Sequence, residues 1–276
     1  MWLSQARSLN STAMFDFIRS AFSHRRLLLQ LIKRDLLSAH HGSVLGAFWV
    51  LIDPLAYVAL TLCFFQFAIR GEQTGVSYVA WVLPQIVFWT FANSAIGASV
   101  SAIREYSFLL RHRHFDMRLI ALIKISSAAV VHLILLFVVM AFLILYSGLS
   151  LGLQTLSVIY FFFSMCVLLL GVVWIISSLG VFWKDVRGIV TILLQAGFWI
   201  SPIFWEPSRF PAPVAFVMYA NPFFYPINGY RKSIIMADFG VPFWGFTLYY
   251  WCVVGLLLYL GSLLFSRLSK TFGDVL

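Results

Sequence analysis

The sequence predicts an all-α polytopic membrane protein of six transmembrane helices, with both termini in the cytoplasm. Three observations carry that expectation. Apolar residues make up 62% of the 276, charged residues only 11%, and mean hydropathy is +0.93. A soluble domain carries about a quarter charged residues and has nowhere to hide so much apolar surface. Next, lipid forces the backbone to satisfy its own hydrogen bonds, which leaves helices or a closed barrel. The apolar stretches run well past the roughly ten alternating residues of a barrel strand, so helices are expected. Finally, Lys and Arg sort to one side. With the N-terminus inside, Arg7, Arg19, Arg25, Arg26, Lys33, Arg34, Arg104, Arg111, Arg113, Arg118, Lys124, Lys184, Arg187, Arg267 and Lys270 are cytoplasmic, against Arg70, Arg209, Arg231 and Lys232 outside. That bias follows the positive-inside rule, so the net charge of +9 is explained by topology without nucleic acid.

Residues 1–43 are polar and basic, carry no cleavable signal pattern, and read as a cytoplasmic N-terminus. Within them, residues 24–41 place Arg26, Gln30, Lys33 and Arg34 on one helical face and Leu28, Leu29, Ile32 and Leu36 on another. This is the pattern of an amphipathic helix in the cytoplasmic interface, its basic side toward headgroups or a partner. A single transmembrane domain is expected over 44–266, followed by a cytoplasmic tail, 267–276. Its spans are 44–69, with Asp53 and Gln66 as strongly polar residues; 76–103, with Gln85 and Asn93; 119–146, with Lys124 near the start and His132 inside; 155–183; 189–204; and 243–265. Five of these exceed the roughly twenty residues a crossing needs, whereas 189–204 barely reaches. The outer segment 205–242 is rich in proline and aromatics and reads as re-entrant helix fragments, covered by protein or facing a water-filled cavity. Cys63, Cys166 and Cys252 fall one to a stretch and read as small core residues.

Several chemistries are missing. No Gly-x-x-x-x-Gly-Lys-Ser/Thr loop is present, so the chain is expected to bind no ATP. His112 and His114 alternate with Arg111 and Arg113, which would repel a cation, and no metal site is expected. Asp53 and His132 sit on different spans and make neither a proton relay nor a catalytic pair. Energy for vectorial work must then come from a partner.

Three runs of residues resemble a family, the transmembrane subunits of ABC-2-type polysaccharide exporters. The first lies in 29–54, with Arg34, Asp35, Leu45, Gly46, Trp49 and Pro54. The second is Lys184-Asp185-Val186-Arg187, followed by a helix ending in Ser201-Pro202-Ile203-Phe204. The third is Asn221-Pro222 leading to Gly229-Tyr230-Arg231. The family commonly has Gln before the first-span proline, where this chain has Asp53. The Lys-Asp-Val-Arg and Ser-Pro-Ile-Phe pair resembles the O-antigen type more closely than the classical capsule type.

The resemblance implies a homodimer of permeases paired with two ATPase subunits, which hold the ATP and Mg. Lipid-linked polysaccharide (O-antigen, then capsule or teichoic acid) would pass between the permeases, with periplasmic or outer-membrane export proteins as further partners. It also implies an ATPase-coupling surface made by Arg104, Glu105, Arg111, Arg113 and Phe115 of the loop 104–115, beside Arg25, Arg26, Arg34 and Asp35.

A polymer path needs aromatic faces for sugars to slide on and few fixed charges. Trp49, Asp53, Tyr57, Thr61 and Phe65 recur every four residues along the first span. Thr191, Gln195 and Trp199 do the same on the fifth, with Phe198 alongside. These residues are expected to line a channel; the alternative is helix–helix packing. A carboxylate facing lipid costs about 2.5–3.5 kcal/mol, so Asp53 should face water, a basic partner or the interface. Phe204, Trp205, Tyr219, Phe223, Phe224 and Tyr225 are candidates for a periplasmic gate or for an aromatic belt. Competing readings are an ABC-2 permease for drugs or lipids, a polytopic enzyme acting on lipid-linked sugars, and a secondary carrier.

Overall fold

The computed structural model describes residues 15–38, 46–68, 72–73, 76–111, 115–150, 152–236, 238–239 and 244–276. In chain order its elements are α1 (15–23), α2 (Arg25–Ser38), α3 (Trp49–Ala68), the two-residue strands β1 (Glu72–Gln73) and β2 (Val76–Ser77), α4 (Tyr78–Ser99) and α5 (Ala102–Glu105). A 3-10 turn, Ser107–Arg111, precedes α6 (Leu119–Ser147) and α7 (Ser157–Phe182). Then come α8 (Val186–Ile200), α9 (Ala212–Ala220), α10 (Phe224–Ile235), α11 (Trp244–Leu268) and α12 (Phe272–Val275). The strands form one tight antiparallel pair, Glu72 opposite Ser77.

The helices α4, α6, α7 and α11 are long and apolar enough to cross a membrane. Shorter apolar helices run over Trp49–Thr61, within α3, and over α8. The chain is therefore a multi-pass helical membrane protein.

Which helix is central follows from how much of each is covered. In α4, 78% of the apolar stretch is buried, against 22% in α6 and α11. Its Ala-Trp-Val-Leu-Pro-Gln-Ile-Val-Phe-Trp run, starting at Ala80, is apolar apart from Gln85, and α3, α6, α7, α8 and α10 pack around α4. A helix without a polar face must be surrounded, by protein or by lipid. The outward faces of α6 and α11 instead show large apolar residues such as Phe137, Leu145 and Leu248, as expected where the solvent is lipid.

Close approach of α7 and α11 depends on two glycines. A Cβ on Gly171 would lie 2.8 Å from the Leu257 carbonyl carbon, and one on Gly261 would lie 2.6 Å from the Gly171 carbonyl oxygen. Small residues of this kind let membrane helices pack backbone to backbone, where no hydrophobic effect drives them together.

Two expectations change. Cys63 and Cys252 are exposed and Cys166 is half-buried, all three as free thiols, so two of them are surface rather than core residues. An apolar position on a membrane helix faces lipid as readily as protein. In α2, Leu28 and Leu31 are buried, but Leu29 is 67% exposed. The covered face of this helix is rotated from the one that leucine spacing suggested, because α2 packs on α6 with Asp35 held by Lys124, and Leu28 and Leu31 share the side of Asp35.

Candidate functional site

The two polar and aromatic stripes meet. Trp49, Asp53 and Tyr57 from α3 and Thr191, Gln195, Phe198 and Trp199 from α8 line one cavity of about 760 Å³. Asp53, Tyr57, Thr191, Gln195 and Trp199 are exposed in the single chain, whereas Trp49 and Phe198 are half-buried. Thr61 lies one turn beyond the cavity and donates its hydroxyl to the Tyr57 carbonyl at 2.7 Å. The side chain of Phe65 lies outside the described residues. Pro54 has no N–H to give the Val50 carbonyl, so the α3 ladder is interrupted on the cavity wall, which Val50 and Pro54 both line.

A third wall was not foreseen. The exposed residues of α4 are Asn93, Ser94, Gly97 and Ala98, at i, i+1, i+4 and i+5, and all four line the cavity with Thr90 and Trp89. Their signal in the sequence was a helical stripe of small and polar residues in an otherwise bulky span. The fourth wall is α6, through Lys124, Ser127, Ala128 and Val131.

An aromatic chain leads away from the cavity. Tyr57 and Phe198 ring centroids are 6.3 Å apart, and Phe198 meets Trp89 at 6.1 Å, Trp199 at 5.5 Å and Phe204 at 5.1 Å. Trp199 stacks on Trp205 at 5.8 Å, which packs against Phe210. Phe223 joins through Trp89 at 5.5 Å. The candidate gate residues thus split. Phe204, Trp205 and Phe223 continue the cavity aromatics, whereas Tyr219 and Phe224 pack on Phe246, and Tyr225 stacks on Tyr250 at 4.4 Å. The latter three brace α9 and α10 against α11.

Behind Phe204 the motif residues form one network. Tyr78 donates to the Phe204 carbonyl at 3.0 Å, and Asn221 Nδ2 donates to Ser201 Oγ at 3.0 Å. The Asn221 side chain also accepts from the Phe223 N–H, fixing the turn before α10. Arg231 is 2% exposed; it lies 4.2 Å over the Trp81 ring and donates to Asn228 Oδ1 at 2.6 Å. The Gln85 amide, with its oxygen toward the guanidinium, accepts from Nε and Nη1 at 3.2 and 3.0 Å. His132 is a packing residue, 1% exposed, bridging the Val87 carbonyl and the Tyr230 hydroxyl.

At the other end of α4, the coupling candidates divide as well. Arg25 and Arg26 are exposed on α2. Arg34 lies over the Phe108 ring at 4.8 Å, while Asp35 turns inward to Lys124 at 2.6 Å. Arg104 donates to the Val181 carbonyl at 2.7 Å, and Glu105 pairs with Lys124 at 2.6 Å. Tyr106 donates to Asp35 at 3.0 Å; burial first, and then the Asp35 carboxylate, push its phenol up, so it stays a neutral donor. Phe115 is buried against His24. Residues 112–114, Arg113 among them, and the Arg111 side chain lie outside the described residues. Among the described residues no group of His, Cys, Asp or Glu could hold a metal ion.

A family model described as ABC-2 type transporter matches residues 26–235, from α2 through α10. The O-antigen export system permease protein RfbA of Myxococcus xanthus is 24% identical over 199 residues, 71% of this chain and 74% of that protein. Two proteins of the same name from Klebsiella pneumoniae are 22% and 21% identical over 252 residues, 91% of this chain and 95% of theirs.

Proposed function

This chain belongs to the ABC-2 type transporter family, and we propose that it is the channel-forming permease of an ATP-driven exporter of lipid-linked polysaccharide. The observation that carries the reading is the cavity between α3, α4, α6 and α8. Tyr57, Trp89, Phe198 and Trp199 offer ring faces, and Thr90, Asn93, Ser94 and Gln195 offer hydrogen bonds at its edges. Sugars have both kinds of surface, and a wall with few strong anchors lets a polymer slide. A greasy drug would use the rings and leave the amides idle. The polymer is of the O-antigen type, as the names of the relatives suggest, with capsule or teichoic acid as the nearest alternatives.

The cargo moves from the cytoplasm across the bacterial inner membrane. Six helices cross, α3 and α8 being the two short ones, and both termini lie inside. Asn93, Ser94, Gly97 and Ala98 are exposed in one copy, so a second copy would close the cavity into a passage. A separate ATPase hydrolyses ATP and docks near Arg25, Arg26 and α5.

Deleting the chain from its native cell and probing the surface for polysaccharide, with affinity purification of the tagged chain, tests this. The expected result is loss of surface polymer, retention of lipid-linked polymer inside, and a P-loop ATPase in the purified complex. Normal surface polymer, or no ATPase under conditions that preserve membrane complexes, contradicts it.

A further inference from the structure

Three elements remote in sequence meet on one ammonium. Lys124, in the second turn of α6, donates to Asp35 Oδ1 of α2 and to Glu105 Oε2 of α5, both at 2.6 Å. Its side chain is 5% exposed. Around it, Tyr106 donates to the same Asp35 oxygen, and Ser101 donates to the other Glu105 oxygen. A lysine serving only as a membrane anchor would snorkel to water on its flexible stem, whereas this one is buried and held by two carboxylates. Such a buried group is a poor device for stability, because desolvation offsets most of the Coulomb gain. What it does supply is geometry, since a charge with both partners in place has one favourable position.

The three partners differ in where they look. Asp35 and Lys124 line the cavity. Glu105 is 46% exposed, on a four-residue helix at the surface. Besides Glu105, α5 is held to the bundle by Arg104 on the Val181 carbonyl and by the buried side chains of Ala102 and Ile103. Among the described residues, Lys124 is the ionic link from that surface helix to the cavity wall.

We infer that Lys124 is a positioning residue for export: it joins Glu105 on the surface of α5 to Asp35 on the cavity wall, so that a push on α5 reaches the cavity. Buried Ala102 and Ile103 hold α5 against the bundle, and the Lys124 ion pairs add a directed link from its exposed carboxylate to the cavity wall. The inference rests on the exporter reading above.

The test uses the permease–ATPase complex with Glu105→Gln, Lys124→Met and Lys124→Arg. It measures membrane level, bound ATPase, ATP hydrolysis and polymer exported per ATP. Glu105→Gln is the mild variant, since its site is half exposed and the Asp35–Lys124 pair remains. Both Glu105→Gln and Lys124→Met are expected to lower polymer per ATP by about tenfold. ATPase binding and hydrolysis are read from Lys124→Met, whose buried site lies away from the docking face, and are expected to persist there. Lys124→Arg, which keeps both pairs, is expected to restore it. Unchanged polymer per ATP in both charge-removing variants overturns the inference. So does parallel loss of membrane level, ATPase binding and export in all three variants, which marks a packing residue. A wild-type complex that exports nothing overturns the exporter reading instead, before any variant is made.

Discussion

Asp53 stands where a charge can be tolerated, on the cavity wall and exposed in the single chain. Its conversion to Asn keeps the shape and removes the charge. Because the site is open, the variant should reach the membrane at the wild-type level, with a stability change within about 0.5 kcal/mol. Polymer export should shift by about fivefold, the equivalent of about 1 kcal/mol. Quantifying membrane level and surface polymer together separates a role in passage from a role in folding, and loss of the chain itself would make Asp53 structural. The sequence pointed to Asp53 because a carboxylate within a span is conspicuous. Lys124 was harder to see. It read as one more basic residue near a helix end, and its partners are 89 and 19 residues away in the chain. Pairing at that separation leaves no local signal.

Among the elements, the stripes of α3 and α8 were legible because aromatic and polar residues at every fourth position have no cause in lipid. The α4 wall was not, since Ser94, Gly97 and Ala98 carry little polarity, and their exposure is set by where neighbouring helices stop. The gate candidates show the same limit: one aromatic-rich segment supplies both residues that pack on the cavity aromatics and braces, and sequence spacing alone does not sort them. The packing of α10 on α7 has its own test. A Cβ on Gly229 would collide with the Phe161 ring, whereas one on Gly255 would meet nothing within 4 Å. Gly229→Ala should therefore lower the melting temperature of the detergent-solubilised protein, with a cost of about 1–3 kcal/mol for overpacking. Gly255→Ala should leave it in place. Equal behaviour of the two would mean that α10 is not packed as described.

At the scale of the whole molecule, solvent decides the architecture. Composition alone called for helices in lipid, and the long apolar helices are there, with the most deeply covered one, α4, at the centre. The cavity opens at the side of that central helix, between a buried polar network at the Arg231 end of α4 and an ion triad at the Lys124 end. Glycan is proposed to pass along this wall. A photo-crosslinking amino acid at position 57 or 198, compared with one at the outward-facing Leu248, tests that directly in cells making radiolabelled lipid-linked polymer. Polymer adducts at 57 and 198 that require an active ATPase are expected, with lipid adducts alone at 248. Lipid adducts alone at all three positions, with export intact, would contradict it.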